Sequence, residues 1–281
     1  MTDPQTDSDT PLEARSPYEL RVDLGKHVPE TDVRSALASG DVGFMHSFTT
    51  GSTVDGPGVR IVAWTAGCMF RCVFCHNPDT WTMTNGMPVT IPRVKEALQK
   101  YRRGLNVMAG GVTLSGGEPL MQHRFAVKFL ATARSLNIHT ALDTNGTYGD
   151  RIDDDELQHV DLILLGLKTL NPALHKRMTG MDVGPTKDFA RRLAERKRPI
   201  WLRYVLIPGL SDDPADVKLI AKFLAGLGNC ERVDVLPFHQ MGRYKWQRLG
   251  LNYTLDAVEP PSVDLVERTV AIYRAEGLTA Y

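Results

Sequence analysis

The chain has 281 residues, enough for one large α/β domain or two modest ones. Hydrophobic residues make up 42% and charged residues 23%, an ordinary balance for a globular protein in water. The 33 basic residues cancel the 33 acidic ones, which removes any long-range pull toward nucleic acid or an anionic membrane, so neither is expected as a partner.

The first forty residues differ from the rest. Eight acidic residues from Asp3 to Asp32 oppose only Arg15, Arg21, Lys26 and Arg34, and prolines are scattered among them. We expect a poorly ordered acidic extension over 1–40 with a short helix near Thr31 to Ala38, followed by one catalytic domain over 41–281. No charged-then-apolar secretory pattern opens the chain, and no apolar run reaches the roughly 18 residues of a membrane span. Four cysteines, three of them crowded together, do not suit a secreted disulfide framework. A reducing, cytoplasmic setting and a monomeric chain are therefore expected.

From Phe44 onward short extended runs alternate with helix-period segments. Strands are expected over 59–67, 110–117, 138–146, 160–168, 199–209 and 232–239, each ending in Gly, Pro, Asn or a polar residue. Helices are expected over 92–103, 125–136, 153–159, 188–197, 213–227 and 262–276. Six such alternations imply parallel βαβ units. An open or partial (β/α)6 barrel is favoured over a flat doubly wound sheet, although periodicity alone fits both. In either, ligands gather at the C-terminal strand ends, and that is where the polar motifs fall.

The first of these motifs is GCMFRCVFCHNPDTW, 67–81. Cys68, Cys72 and Cys75 lie within eight residues and have no local fourth partner. One reading is zinc, with His76 or the distant Cys230 as fourth ligand. The other is an iron–sulfur cluster held at three corners, one iron being left for an exogenous ligand. TLSGGEP (113–119) ends the second strand, where Gly116 and Gly117 make either a plain turn or a close approach of backbone to ligand. ALDTNG (141–146) ends the third, where Asp143 either caps a turn or offers an oxygen to a hard cation. DGPG (55–58) reads on its own as a tight turn.

CMFRCVFC is similar to the CxxxCxΦC signature of the radical S-adenosylmethionine (SAM) superfamily, with Phe74 as the aromatic before the third cysteine. The resemblance implies a [4Fe–4S] cluster on Cys68, Cys72 and Cys75 whose open iron chelates SAM, with Phe74, Cys75 and His76 beside the cosubstrate. It further implies Gly116, Gly117 and Glu118 facing the SAM ammonium, and a monovalent cation near Asp143 and Thr144. Gly166, Leu167, Lys168, Arg203 and His239 are expected to complete the cosubstrate site.

Blocks across 44–281, among them HSFTTGSTVDGPGVR, HNPDTW, RYVLIPG and LPFHQMGRYKW, closely resemble glycyl-radical-enzyme activases of the pyruvate formate-lyase type. That implies removal of a hydrogen from a glycine Cα in a partner enzyme, pyruvate formate-lyase first among candidates, with Asp55 positioning the glycine loop. Only Cys230 remains outside the loop motif, so an external donor, flavodoxin or ferredoxin, is implied. The competing readings are an activase of another glycyl-radical enzyme and a radical SAM enzyme acting on a small molecule. One position departs from the pattern: the family has Asp-x-Lys where this chain has Gly166-Leu167-Lys168. A hydrogen bond to a charged group contributes roughly 1.5–3 kcal/mol, so weaker SAM binding is expected here.

Overall fold

The computed structural model describes residues 19–20 and 30–281. The expectation of poor order over 1–40 falls mostly outside those residues. Within the extension, β1 (Glu19–Leu20) pairs antiparallel with β2 (Val42–Ser52), and α1 (Glu30–Ser39) forms the expected short helix.

Six parallel strands make the frame: β3 (Arg60–Thr65), β5 (Gly111–Gly116), β6 (His139–Thr144), β7 (Leu162–Leu165), β8 (Ile200–Leu206) and β9 (Cys230–Pro237). They lie side by side in chain order. β2 pairs antiparallel with β3 and also with β4 (Met87–Thr90), which extends the sheet to nine strands. The sheet runs from β1 to β9 without closing on itself. This is the expected partial barrel.

The connecting helices are α2 (Ile91–Val107), α3 (His123–Ser135), α4 (Asp154–Leu157), α5 (Pro172–Thr179), α6 (Gly184–Glu195) and α7 (Pro214–Leu227). α8 (Arg243–Arg248) and α9 (Val263–Ala275) follow β9. Local chemistry starts them: Asn171 and Asp213 each cap a helix whose first residue is proline, and Ser262 accepts from Leu265 N–H. α5 and α8 are additions to the expected set, as are β2 and β4.

Period-two alternation sorts the strand side chains. In β8, Ile200, Leu202, Tyr204 and Leu206 are fully buried, and the last three pack with Leu224 of α7 and Tyr273 of α9. Trp201 instead packs on Ala141, Leu162 and Leu164 inside the barrel. The same alternation turns Leu165 and Leu167 outward into the helix-facing core. Each Leu or Phe so buried contributes roughly 1.5–3 kcal/mol. The lumen is apolar where Ala141, Leu162, Leu164 and Trp201 meet, while the buried Arg60 bonds to Thr113 and His139 near the N-terminal strand ends.

Candidate active site

The cysteine loop leaves β3 through Gly67, whose φ of +92° is in the region that favours glycine. Main-chain hydrogen bonds from several directions fix it. Gly67 N–H donates to Thr80 C=O (2.7 Å) and Cys68 N–H to Trp81 C=O (3.1 Å). Arg71 N–H donates to Thr179 C=O (2.7 Å) and Val73 N–H to Met178 C=O (2.9 Å), both carbonyls ending α5. From the far side Trp246 Nε1 donates to Cys75 C=O (2.8 Å) and packs edge-on against Trp81.

Cys68, Cys72 and Cys75, all free thiols, line one cavity of about 170 Å³. The opposite wall is Ser115, Gly116, Gly117, Asp143 and Thr144, with Gly166 and Lys168 beyond. Burial raises all three thiol pKa values; at Cys68 the Glu118 charge adds to it, and Cys75 is pushed up to about 12. Such thiols stay protonated until a cationic centre takes them as thiolates. Among the described residues no three His, Cys, Asp or Glu side chains gather as a single-ion site requires. Three cysteines around one cavity suit a cluster whose irons each take one thiolate. The zinc reading also loses its fourth ligand. Cys230 is the first residue of β9, at the N-terminal strand ends away from the cysteine loop, and His76 Nε2 is engaged with the His239 carbonyl (3.1 Å).

The two glycines of the SGGEP turn are needed for a close approach of main chain to main chain. A Cβ on Gly116 would lie 2.2 Å from Thr65 N, and one on Gly117 2.2 Å from Gly67 O. They let the β5 end press against the start of the cysteine loop, where Gly117 N–H and Glu118 N–H donate to Thr65 and Gly67 carbonyls (both 2.8 Å).

Glu118 itself stands behind the cavity wall, 1% exposed. Its carboxylate accepts from Thr144 Oγ1 (2.7 Å), Asn145 N–H (2.8 Å) and Leu120 N–H (3.0 Å). Burial nevertheless raises its pKa to about 7. Asp143 does face the cavity and accepts from Ser115 Oγ (2.7 Å).

On the β7 side Gly166 and Lys168 face the cavity while Leu167 is fully buried in the core. The Lys168 ammonium lies 5.6 Å above the Phe74 ring. It also lies 2.9 Å from where a Cβ on residue 166 would be, so the missing side chain is replaced by the lysine's own tip. Phe74 is buried against Met178, Ile207 and Phe238.

Arg203 and His239 stand outside the cysteine cavity. Arg203 Nη1 donates to Asp55 Oδ1 (3.0 Å) and to Val54 C=O (2.9 Å). Burial works against its charge, but Asp143, Asp55 and Asp234 outweigh that and raise its pKa. Asp55 also accepts from Ser52 Oγ (2.5 Å), and its carbonyl accepts from Thr113 Oγ1 (2.6 Å). The 53–59 loop therefore folds into the N-terminal end of the barrel, opposite the cysteine loop. The His239 ring lies 4.2 Å from that of His76.

Sequence reasoning missed α5, which holds the cysteine loop. Its signals were Asn171-Pro172 at the start and Gly180 at the stop, in NPALHKRMTG. It also missed Ser115 and Asn145, short polar residues whose roles depend on neighbouring strands.

A radical SAM superfamily model matches residues 62–221, from β3 into α7. The pyruvate formate-lyase 1-activating enzyme of Escherichia coli is 38% identical over 84% of this chain and 97% of its own. The pyruvate formate-lyase-activating enzyme of Listeria monocytogenes is 41% identical over 80% of this chain and 93% of its own. Among solved structures, a domain of the pyruvate-formate lyase-activating enzyme of Bacteroides vulgatus superposes with a TM-score of 0.52 at 28% identity, over 61% of this chain and 98% of that domain. The chain belongs to the radical SAM superfamily and, within it, to the family of pyruvate formate-lyase-activating enzymes.

Proposed function

We propose that the protein is the activase of a pyruvate formate-lyase, making a glycyl radical in that partner. The observation that carries this reading is one cavity lined by three free thiols on one side and by Asp143 and Lys168 on the other. Cys68, Cys72 and Cys75 hold a [4Fe–4S] cluster by three corners. Bound there, the cluster would supply one electron to SAM, whose C–S bond would break to give methionine and the 5′-deoxyadenosyl radical that takes one hydrogen atom from the target glycine.

The chain's own residues bind, orient and shield. Lys168 offers an ammonium without an ion pair to the cosubstrate carboxylate, and Asp143 an acceptor to its ammonium or to a monovalent cation. Gly116 and Gly117 bring main chain to the cavity wall. Phe74, His76, Gly166, Leu167 and Glu118 act around this group, Leu167 and Glu118 from behind it. Arg203 and His239 approach SAM from the β8–β9 side. Asp55, paired with Arg203 from the N-terminal strand ends, meets the incoming glycine loop. Glycine is a reasonable target because no side chain covers its Cα.

The electron comes from flavodoxin or ferredoxin, since the motif holds one cluster and Cys230 lies away from it at the N-terminal strand ends. A monomer acting in the cytoplasm completes the reading; no helix of the described residues is long and apolar enough to cross a membrane.

The test is anaerobic. Reconstituted, reduced protein is mixed with SAM and pyruvate formate-lyase, and paramagnetic resonance should show a glycyl-radical doublet. SAM cleavage without that doublet, under conditions where a known activase produces it, rejects the assignment.

A further inference from the structure

The cysteine loop has two sides, and the cavity uses only one. On the other side Met69 is 46% exposed and Arg71 is exposed, and neither lines the cavity. α5 is joined to this outer side by the two main-chain bonds from Arg71 and Val73. Its last turn carries Lys176 and Arg177, both exposed. Lys176, Arg177 and Gly180 are exposed while the neighbouring His175, Met178 and Thr179 are buried, which leaves the two cations and the helix stop on the open side. A Cβ on Gly180 would stand 3.9 Å from Arg71 Cβ, so the arginine of the loop and the cations of the helix border one surface. Arg71 Nη1 donates to the Cys68 and Phe70 carbonyls (2.6 and 2.9 Å). Among the described residues none of the three makes an ion pair.

We propose that this outer face, formed by Met69, Arg71, Lys176 and Arg177, is the docking surface for an acidic one-electron carrier protein. The inference rests on the activase reading, under which SAM and the glycine segment occupy the barrel interior. A protein donor then needs another approach to the cluster, and here the ligand loop itself reaches the surface. Three cations without an ion pair, on a chain of zero formal net charge, select a negatively charged partner, and the exposed methionine offers an apolar contact among them. The Thr179 carbonyl bonds to the N–H of Arg71, the residue before Cys72, so a carrier seated on α5 is linked to a cluster ligand through few bonds. In the transfer, a flavin hydroquinone in the carrier gives one electron to the oxidised cluster. The flavin becomes the semiquinone with loss of a proton, and the cluster gains a single electron.

The experiment follows cluster reduction by anaerobic stopped flow, using reconstituted holoenzyme and flavodoxin hydroquinone as the probe. The double variant Lys176→Glu/Arg177→Glu should be reduced about tenfold or more slowly than wild type at low salt. The gap should close at high salt. Lys176→Gln/Arg177→Gln, which adds no acid to the helix C-terminus, should be slowed less and in the same direction. Photoreduced deazaflavin, a small neutral donor, should reduce all three at one rate. An unchanged flavodoxin rate, or equal slowing with deazaflavin, overturns the proposal. So does loss of glycyl radical in variants reduced chemically, because the face would then serve the glycine-bearing enzyme. If wild type is reduced in this salt-dependent way but forms no glycyl radical, the activase reading fails while the docking surface stands.

Discussion

Two loops close the two ends of the barrel, and they are held by different physics. The cysteine loop at the C-terminal strand ends is fixed by neutral main-chain hydrogen bonds to the 80–81 turn, to β5, to α5 and, through Trp246, to α8. The 53–59 loop at the N-terminal ends is tied largely through one residue, Asp55, by Arg203, Ser52 and Thr113. Many weak, direction-specific bonds give a fixed geometry, which three ligands of one cluster require. One partly buried ion pair gives a contact that an incoming carboxylate or peptide group can replace. The contrast sets a rigid end against an exchangeable one.

The largest expected effect comes from breaking the rigid end at a ligand. Cys72→Ala should abolish both the visible cluster absorbance and the glycyl radical, whereas Cys230→Ala, at the N-terminal strand ends, should retain both. Equal losses in the two variants would remove the distinction between the ends.

The next effect concerns the wall behind the cavity. In the cluster-free protein the Glu118 pKa is raised by burial from 4.5 to about 7, so the native state binds the proton more tightly than the unfolded chain. The stabilising proton is fully present below about 4.5 and is lost as pH rises through about 7. The shift corresponds to a loss of about 3 kcal/mol across that window. Glu118→Gln should flatten this fall in thermal midpoint between those two pH values; an undiminished slope would place the titrating group elsewhere. Catalysis should suffer as well, since the amide keeps one oxygen for Thr144 and Leu120 but sets an NH2 donor against the Asn145 N–H.

At the exchangeable end, Asp55→Asn removes the charge facing Arg203. A charge-assisted bond of this kind contributes roughly 1.5–3 kcal/mol, so amide exchange over 53–59 should accelerate by about tenfold or more. KM for the glycine-bearing partner should rise while cluster content is unchanged. Altered cluster content would mean that the two loops are coupled rather than independent.

The rigid end was largely legible in the sequence and the exchangeable end was not. Cysteine spacing, paired glycines and strand-final polar residues are local signals, and the six parallel strands follow from apolar runs that end in turn residues. β2 was missed because HSFTTGS mixes polar residues into an antiparallel edge, where one-sided burial leaves a weak pattern. Glu118 illustrates a different limit. Its position after two glycines is visible, but whether the carboxylate faces the ligand or the wall depends on Thr144 and Asn145 from another strand. The outward direction of the Leu167 side chain was legible too, because period two through Leu162, Leu164, Gly166 and Lys168 leaves it on the outer face.

The smallest effect is expected at Gly166, where the two kinds of holding meet. On sequence alone, Gly166→Asp restores the family acceptor and should strengthen SAM binding about tenfold or more. The structure changes the magnitude. The Lys168 ammonium already lies 2.9 Å from the would-be Cβ. It is the end of a flexible side chain, so an aspartate fits once the lysine swings aside. The new carboxylate then has two cations to serve, the SAM ammonium and Lys168, and each bond it makes to the lysine removes that lysine from the SAM carboxylate. The expected gain is therefore only a few-fold, read by equilibrium binding of SAM to the reconstituted enzyme. Gly166→Asp/Lys168→Met separates the two contributions. If the lysine competes for the new carboxylate, the affinity gained from Gly166→Asp should be larger when Lys168→Met is also present than when Lys168 is intact. An equal gain on both backgrounds would falsify the competition and leave Gly166 a simple loss of one acceptor.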